Sequence, residues 1–151
     1  MNIIFRKFTK EDRDAFFTMV KKFYAPPAVL HFPSDEVMLS AFDASINMPE
    51  YVKGYIFECD GKPAGYAMVS LKFETEVGGI AAWIEELFVE EEFRGSGIGS
   101  RFFEFLKKEL AGRIRRIRLE VGEDNFDAIR LYERLGFEFL DYRQMTIDKD
   151  F

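Results

Sequence analysis

A mixed α/β fold follows from three features of the 151-residue chain: amphipathic helical patterns near its start, alternating strand patterns in its middle, and strand and helix patterns in turn toward its end. Asn2-Ile3-Ile4-Phe5-Arg6 is short and β-rich, and Thr9 followed by Asp12 forms a helix-start signal. Ala15, Phe16, Met19, Val20 and Phe23 then recur at helical spacing until Pro26-Pro27 ends the pattern. Pro33 and Ser34 open a second helix, in which Met38, Ala41, Phe42, Ser45 and Ile46 share a face, and it ends near Pro49. Residues 51–59 and 62–73, rich in aromatic and β-branched side chains, read as strands meeting at Asp60-Gly61, a strong hairpin signal. After Gly78-Gly79, residues 80–89 read as a strand buried among neighbours, with Glu85 and Glu86 in its middle. Ile98, Phe102, Phe105, Leu106 and Leu110 mark a third helix, and Ile117, Leu119 and Val121 alternate as a strand. Ala128, Leu131, Tyr132 and Leu135 mark a fourth helix that Gly136 is placed to cap. Residues 137–140 and 145–147 are expected to close the chain as two further strands. No repeat or linker interrupts the pattern, so one α/β domain over residues 1–151, with a mixed sheet, is expected.

Composition narrows the function. Apolar residues make up 48% of the chain, 18 of them Phe, enough to build a core and to exclude disorder as the main state. The 27 acidic against 21 basic side chains leave a net charge of −6, which offers no basic field to nucleic-acid phosphates or anionic lipid and suits a cationic partner better. Cys59, the single cysteine, has no disulfide partner in the chain, and with the single histidine, His31, it falls short of a zinc ligand set. No apolar run approaches the roughly 18 residues of a membrane span. Arg6, Lys7, Lys10 and Glu11 stand where a signal peptide needs hydrophobic residues, so a cytoplasmic protein is expected.

The informative segment is Arg94-Gly95-Ser96-Gly97-Ile98-Gly99-Ser100, between a buried strand and an amphipathic helix. Glycines let the backbone approach a ligand closely, the first helical N–H groups have no internal partner, and the helix dipole adds positive potential, so a pyrophosphate fits there. The nucleotide loop ending in Gly-Lys-Ser/Thr is absent, and the glycine spacing is not that of the dinucleotide fingerprint, so neither ATP nor NAD is indicated.

Arg94-Gly95-Ser96-Gly97-Ile98-Gly99 resembles the Arg/Gln-x-x-Gly-x-Gly/Ala motif of the GNAT N-acetyltransferase superfamily. Trp83-Ile84-Glu85-Glu86-Leu87-Phe88-Val89 resembles that family's central strand, and Asn125 to Phe137 matches its Asn-x-x-Ala-x-x-x-Tyr-x-x-x-Gly-Phe signature through Asn125, Ala128, Tyr132, Gly136 and Phe137. The resemblance implies the GNAT fold: a central, mostly antiparallel mixed sheet, flanked by helices and splayed between its two central strands. The pantetheine arm of acetyl-CoA would bind in that gap like a missing strand. The main chain of Leu87, Phe88 and Val89 would hold pantetheine. The amides of Arg94, Gly95, Ser96, Gly97, Ile98, Gly99 and Ser100 would hold the pyrophosphate, with added charge from Arg94. Asn125 would hydrogen-bond the pantetheine arm, and Ala128 and Tyr132 complete the cofactor-side set. No metal is implied.

An alkyl amine titrates near 10 and arrives charged, so transfer needs a base, an oxyanion donor and a proton for the departing thiolate. Glu85 or Glu86 is the candidate base and cation anchor. Period two sends them to opposite faces, and Glu85 is favoured. The N–H of Val89 or a neighbour is the candidate oxyanion donor. Tyr132 matches the tyrosine from which the family commonly donates a proton to the CoA sulfur.

Simpler roles stand beside these. Tyr132 shares a helical face with Ala128 and Leu135 and could be a core aromatic; Asn125 could cap the last helix; Glu85 or Glu86 could make a structural ion pair. His31 reads as an ordinary loop residue, Cys59 as packing, and Phe16, Phe23 and Phe42 as core, while Arg113, Arg115, Arg116 and Arg118 are left unassigned. The resulting expectation is an acetyl-CoA-dependent N-acetyltransferase that transfers directly to a primary amine, without an acyl-enzyme. Glu74, Glu76, Glu85 and Glu86 tilt the acceptor toward a cationic small molecule such as a polyamine. A protein N-terminus or lysine is the alternative acceptor, and a non-catalytic acyl-CoA-binding regulatory domain the alternative class. The resemblance leaves room for a homodimer.

Overall fold

Strand order in space repeats strand order in sequence: β1 (Ile3–Lys7), β2 (Val52–Cys59), β3 (Lys62–Glu74), β4 (Gly79–Val89) and β5 (Arg116–Leu119) lie side by side. The structure, a computed structural model, describes residues 1–25 and 32–148, so Pro26-Pro27 and His31 lie outside the described residues. β1 to β4 pair antiparallel, and β5 joins β4 in parallel. A parallel neighbour needs a long crossover, which α3 (Ile98–Glu109) supplies. Asp60 (φ 49°) and Gly61 (φ 79°) both take left-handed conformations, the turn whose twist matches the flanking strands β2 and β3.

The expected starts of the first two helices are borne out. The Thr9 N–H and hydroxyl both donate to Asp12 Oδ2 (2.7 and 3.2 Å), and a short 3-10 turn (Lys10–Asp12) leads into α1 (Arg13–Phe23). Ser34 Oγ accepts from the Val37 amide (3.3 Å) at the start of α2 (Asp35–Asn47). Period two then sorts the strand side chains between two cores. On one face Ile56, Tyr66, Met68 and Phe88 pack with Phe8 and with Phe16, Met19, Val20, Met38 and Phe42 of α1 and α2. On the other, Phe5, Tyr55 and Phe57 meet Phe102 and Phe105 of α3, with ring centroids 4.7–5.8 Å apart.

The chain divides into two compact units, Met1–Glu120 and Val121–Phe151. The second contains α4 (Phe126–Arg134). The strands expected at 137–140 and 145–147 are not formed among the described residues, and no strand pair includes a residue beyond Leu119. Phe137 is instead committed to the end of α4, its amide bonded to the Tyr132 carbonyl. Phe139, Tyr142, Met145 and Ile147 stay exposed. An apolar run makes a strand only where another strand pairs with it, which composition alone does not report.

Candidate functional site

β4 carries the site because its two edges differ. Along β3 it is paired from Gly79 to Val89, whereas β5 pairs only with Ala81, Ala82, Trp83 and Ile84. Among the described residues, 85–89 therefore have a strand on one side and, on the other, an edge with which no strand pairs. The Glu90 amide donates to the Ala64 carbonyl on the β3 side (2.9 Å). Backbone groups alternate along a strand, so those of Val89 and Leu87 point to the open edge while those of Phe88 point at β3. A Cβ on Gly65 of β3 would indeed stand 2.3 Å from the Phe88 carbonyl oxygen. Of the three main-chain positions expected at the edge, Leu87 and Val89 present hydrogen-bonding groups there and Phe88 does not.

The register between β3 and β4 slips between Met68 and Val69: Met68 opposes Glu86 and Val69 opposes Ile84, leaving Glu85 as a one-residue bulge. The two adjacent carboxylates end in unlike surroundings. Glu85 is exposed and accepts from Ser70 Oγ. Glu86 is buried at 7% exposure and accepts from two phenols, Tyr24 (2.7 Å) and Tyr66 (2.8 Å). Burial pushes the Glu86 carboxyl above its ordinary range, the phenol hydrogen bonds oppose this, and Glu85 adds to it, for a net rise. Burial, together with the charge of Glu86, drives both phenols upward as well, so they remain donors. Tyr66 is fixed by edge-on contact with Phe16 (5.0 Å). Tyr24 directly follows α1. Sequence reasoning missed both tyrosines, which lie 62 and 20 residues from Glu86; the one available signal was that a buried carboxylate requires donors.

Beyond Val89 a 3-10 turn (Glu91–Phe93) leads into the glycine loop. Arg94 folds back, its Nε donating to the Val89 carbonyl (2.9 Å), and Ser96 Oγ donates to the Phe93 carbonyl. Gly97 is the N-cap of α3 at φ 79° and supplies no side-chain cap, and the first turn holds no acidic residue. Arg101 is the first amide to bond within the helix, to the Gly97 carbonyl (3.0 Å). The preceding amides of Ile98, Gly99 and Ser100 are those a helix start leaves for an outside acceptor, and the dipole favours an anion there. Chain neighbours aside, a Cβ at Gly95 or Gly97 would meet nothing within 4 Å among the described residues, which leaves the approach open there. Ile98, buried at 2%, anchors the start of the helix in the core. These features fit a pyrophosphate group.

In the second unit Asn125 Oδ1 accepts from the Ala128 amide (3.3 Å) and caps α4. At the other end Gly136 takes φ 91°. The Gly136 and Phe137 amides donate to the Glu133 and Tyr132 carbonyls (both 3.0 Å), and the Phe137 ring packs edge-on against Tyr132 at 5.7 Å. This is a Schellman ending with its usual apolar contact, and it gives the Tyr-x-x-x-Gly-Phe spacing a physical reason: glycine reaches the left-handed conformation and the phenylalanine seats the tyrosine ring. Burial pushes the Tyr132 phenol upward and keeps it protonated.

Residues 12–137 match the sequence model of the acetyltransferase (GNAT) family. The chain belongs to the GNAT acetyltransferase family. Among relatives, the spermine/spermidine N(1)-acetyltransferase of Bacillus subtilis is 33% identical over 84 residues, 53% of this chain and 55% of that protein, so the match spans about half the length of that relative. A structure of a possible acetyltransferase from Clostridium difficile superposes with a TM-score of 0.84 at 20% identity, covering 100% of both chains. A structure of a predicted acetyltransferase with acetyl-CoA from Clostridium acetobutylicum gives 0.78 at 18% identity over 96% of each. At these identities the structures show a shared fold, the expected GNAT fold.

Other polar residues of this GNAT chain serve its architecture. Glu74, buried at 5% exposure, accepts from Trp83 Nε1 (2.9 Å), Arg116 (2.8 Å) and Arg118 (3.2 Å), tying β3 to β5 across β4. Arg118 also lies 4.2 Å over the Trp83 ring. Glu74 is thus neutralised and adds little to an acidic field, and two of the unassigned arginines have a structural use. Cys59 is buried at the end of β2. Among the described residues no helix is long and apolar enough to cross a membrane, and no His/Cys/Asp/Glu group could hold a metal ion. Burial alone would raise the Glu74 carboxyl, but the bonds from Arg116, Trp83 and Arg118 outweigh it and hold it below its ordinary range. Its stabilisation is therefore full above the ordinary carboxylate range and lost as pH falls through the depressed value. Glu74→Gln is expected to cost about 3 kcal/mol by urea unfolding at pH 7, with a smaller deficit relative to wild type in acid. An equal deficit at all pH values would contradict that role.

Proposed function

We propose that this chain is one acetyltransferase domain that moves the acetyl group of acetyl-CoA directly to a primary amine of a cationic small molecule, a polyamine being the favoured class. The observation that carries the reading is the open edge of β4, with Leu87 and Val89 presenting backbone groups beside a glycine loop and an uncapped helix start. Acetyl-CoA supplies the activated acetyl thioester. Leu87 and Val89 bind its pantetheine arm, with the Val89 N–H the candidate donor to the thioester oxygen. The Ile98, Gly99 and Ser100 amides bind its pyrophosphate. Arg94, bonded to the Val89 carbonyl, braces the strand end and adds positive charge near the loop.

Of the two carboxylates we assign proton removal from the acceptor ammonium to Glu86, in place of the Glu85 favoured from sequence. A raised carboxyl held by oriented donors has the properties of a general base, whereas exposed Glu85 suits attraction of the cation. Tyr132, kept protonated, returns a proton to the departing CoA thiolate, and Asn125 contacts the pantetheine arm in addition to capping α4. The polyamine assignment draws support from the B. subtilis relative's name and the net charge of −6. Product mass analysis after incubation with acetyl-CoA and a panel of polyamines, amino acids, aminoglycosides and peptides tests it. Acetylated spermidine or spermine is expected, and acetylation confined to peptides would contradict the assignment.

The assignment of Glu86 predicts a pH effect. kcat/KM falls as pH drops and Glu86 protonates. Tyr24→Phe removes a donor that stabilises the carboxylate, so the carboxyl rises further and the acid limb moves to higher pH. A profile that merely drops in height without shifting would make the Tyr24–Glu86 contact structural.

A further inference from the structure

The sheet has a second polar concavity at the end away from the glycine loop. Lys7 at the close of β1, Lys10, and Lys53 near the start of β2 line a cavity of about 320 Å3, walled on its apolar side by Phe8, Ile46 and Pro49. α3 separates it from the loop: the helix begins at Ile98 beside Gly97 and ends at Glu109, which pairs with Lys7 at 3.2 Å. Its 12 residues at about 1.5 Å each put some 18 Å between the two places.

The charges there do not balance. Lys7 has Glu109, but Lys53 Nζ has only the Pro49 carbonyl (3.2 Å), and neither Lys53 nor Lys10 forms an ion pair among the described residues. The Lys53 ammonium is pushed below its ordinary range by burial and then by Lys7 and Arg113, against Glu109. In a chain with six more acidic than basic side chains, three lysines line this cavity and only one of them, Lys7, is paired with a carboxylate among the described residues. Nearby, Tyr55, registered opposite Lys7 and two residues from Lys53 on the same sheet face, buries a hydroxyl with no hydrogen-bond partner among the described residues.

We propose that this cavity binds a small multiply charged anion, a di- or tricarboxylate or a phosphorylated metabolite, as a site separate from the one for acetyl-CoA. Ammonium groups act as point charges and accept carboxylate and phosphate alike, so the shared chemistry is the multiple negative charge. The volume lies at the small end for ligand sites and suits a compact metabolite, and the walls of Phe8, Ile46 and Pro49 suit a short carbon body.

Calorimetric titration of citrate and, separately, of pyrophosphate into the full chain tests this, with and without saturating acetyl-CoA, in wild type and in a Lys10→Gln/Lys53→Gln variant. At least one anion is expected to bind wild type, to keep its affinity when acetyl-CoA is present, and to bind the variant at least tenfold more weakly. Citrate alone binding points to a carboxylate ligand, pyrophosphate alone to a phosphorylated one. No binding of either at millimolar concentration, equal binding to the variant, or displacement by acetyl-CoA would overturn the site. Lys10→Glu alone, in the same titration, decides the matter if the double variant fails to fold. If acetyl-CoA does not bind the chain, the transferase reading fails while the lysine variants still decide this one.

Discussion

Tyr132→Phe is expected to lower turnover by about 10²-fold or more while leaving acetyl-CoA affinity within a few-fold, the scale for losing a general acid. The substitution keeps the ring and removes the phenolic oxygen. The ring is seated by Phe137 and by a helix ending that does not involve the hydroxyl, so α4 and its capping by Asn125 should persist. Burial keeps the phenol protonated through neutral pH, the state a proton donor needs. Steady-state kinetics with calorimetric acetyl-CoA titration measures both quantities. Unchanged turnover would remove Tyr132 from the chemistry and make it the core aromatic that its helical spacing also allows.

Gly97→Val should weaken acetyl-CoA binding by at least tenfold. Gly97 sits at φ 79°, where a branched residue costs about 1–2 kcal/mol of conformational strain. Its chain neighbours aside, no described residue lies within 4 Å of the position its Cβ would take, so the added methyl groups would occupy the approach assigned to the pyrophosphate rather than disturb packing. Strain and obstruction can be separated. Gly112, beyond the far end of α3, has φ 75° and the same open surroundings, so Gly112→Val should lower the thermal midpoint comparably without weakening acetyl-CoA. Wild-type affinity in a folded Gly97→Val protein would refute the placement of the anion at the start of α3.

Much of this molecule was legible in its sequence because its signals are local. The Asp60-Gly61 turn needs only two residues, α2 announces its start with Ser34, and the glycine loop before Ile98 carries both the close approach and the free amides. The site's carboxylate chemistry was less legible. Period two separates Glu85 from Glu86, but which of them is buried depends on a bulge fixed by the register against Met68 and Val69 of β3. The donors Tyr24 and Tyr66 come from a helix end and a strand with no local relation to Glu86. From sequence alone Glu74 counts toward an acidic field, because its neutralisation by Arg116 and Arg118 is set by strand neighbours more than 40 residues away. The expected closing strands failed for a similar reason. Phe137 and the apolar residues after it have β propensity, but the Schellman ending claims Phe137 first.

Acetyl-CoA titrated into the protein in a calorimeter, followed in the same sample by free-thiol detection as spermidine is added, bears most directly on the proposed transferase. Saturable binding at one site, with thiol release that waits for the amine, is the expected result. Failure of acetyl-CoA to bind would contradict the role given to the β4 edge and glycine loop, and thiol release independent of any amine would contradict direct transfer.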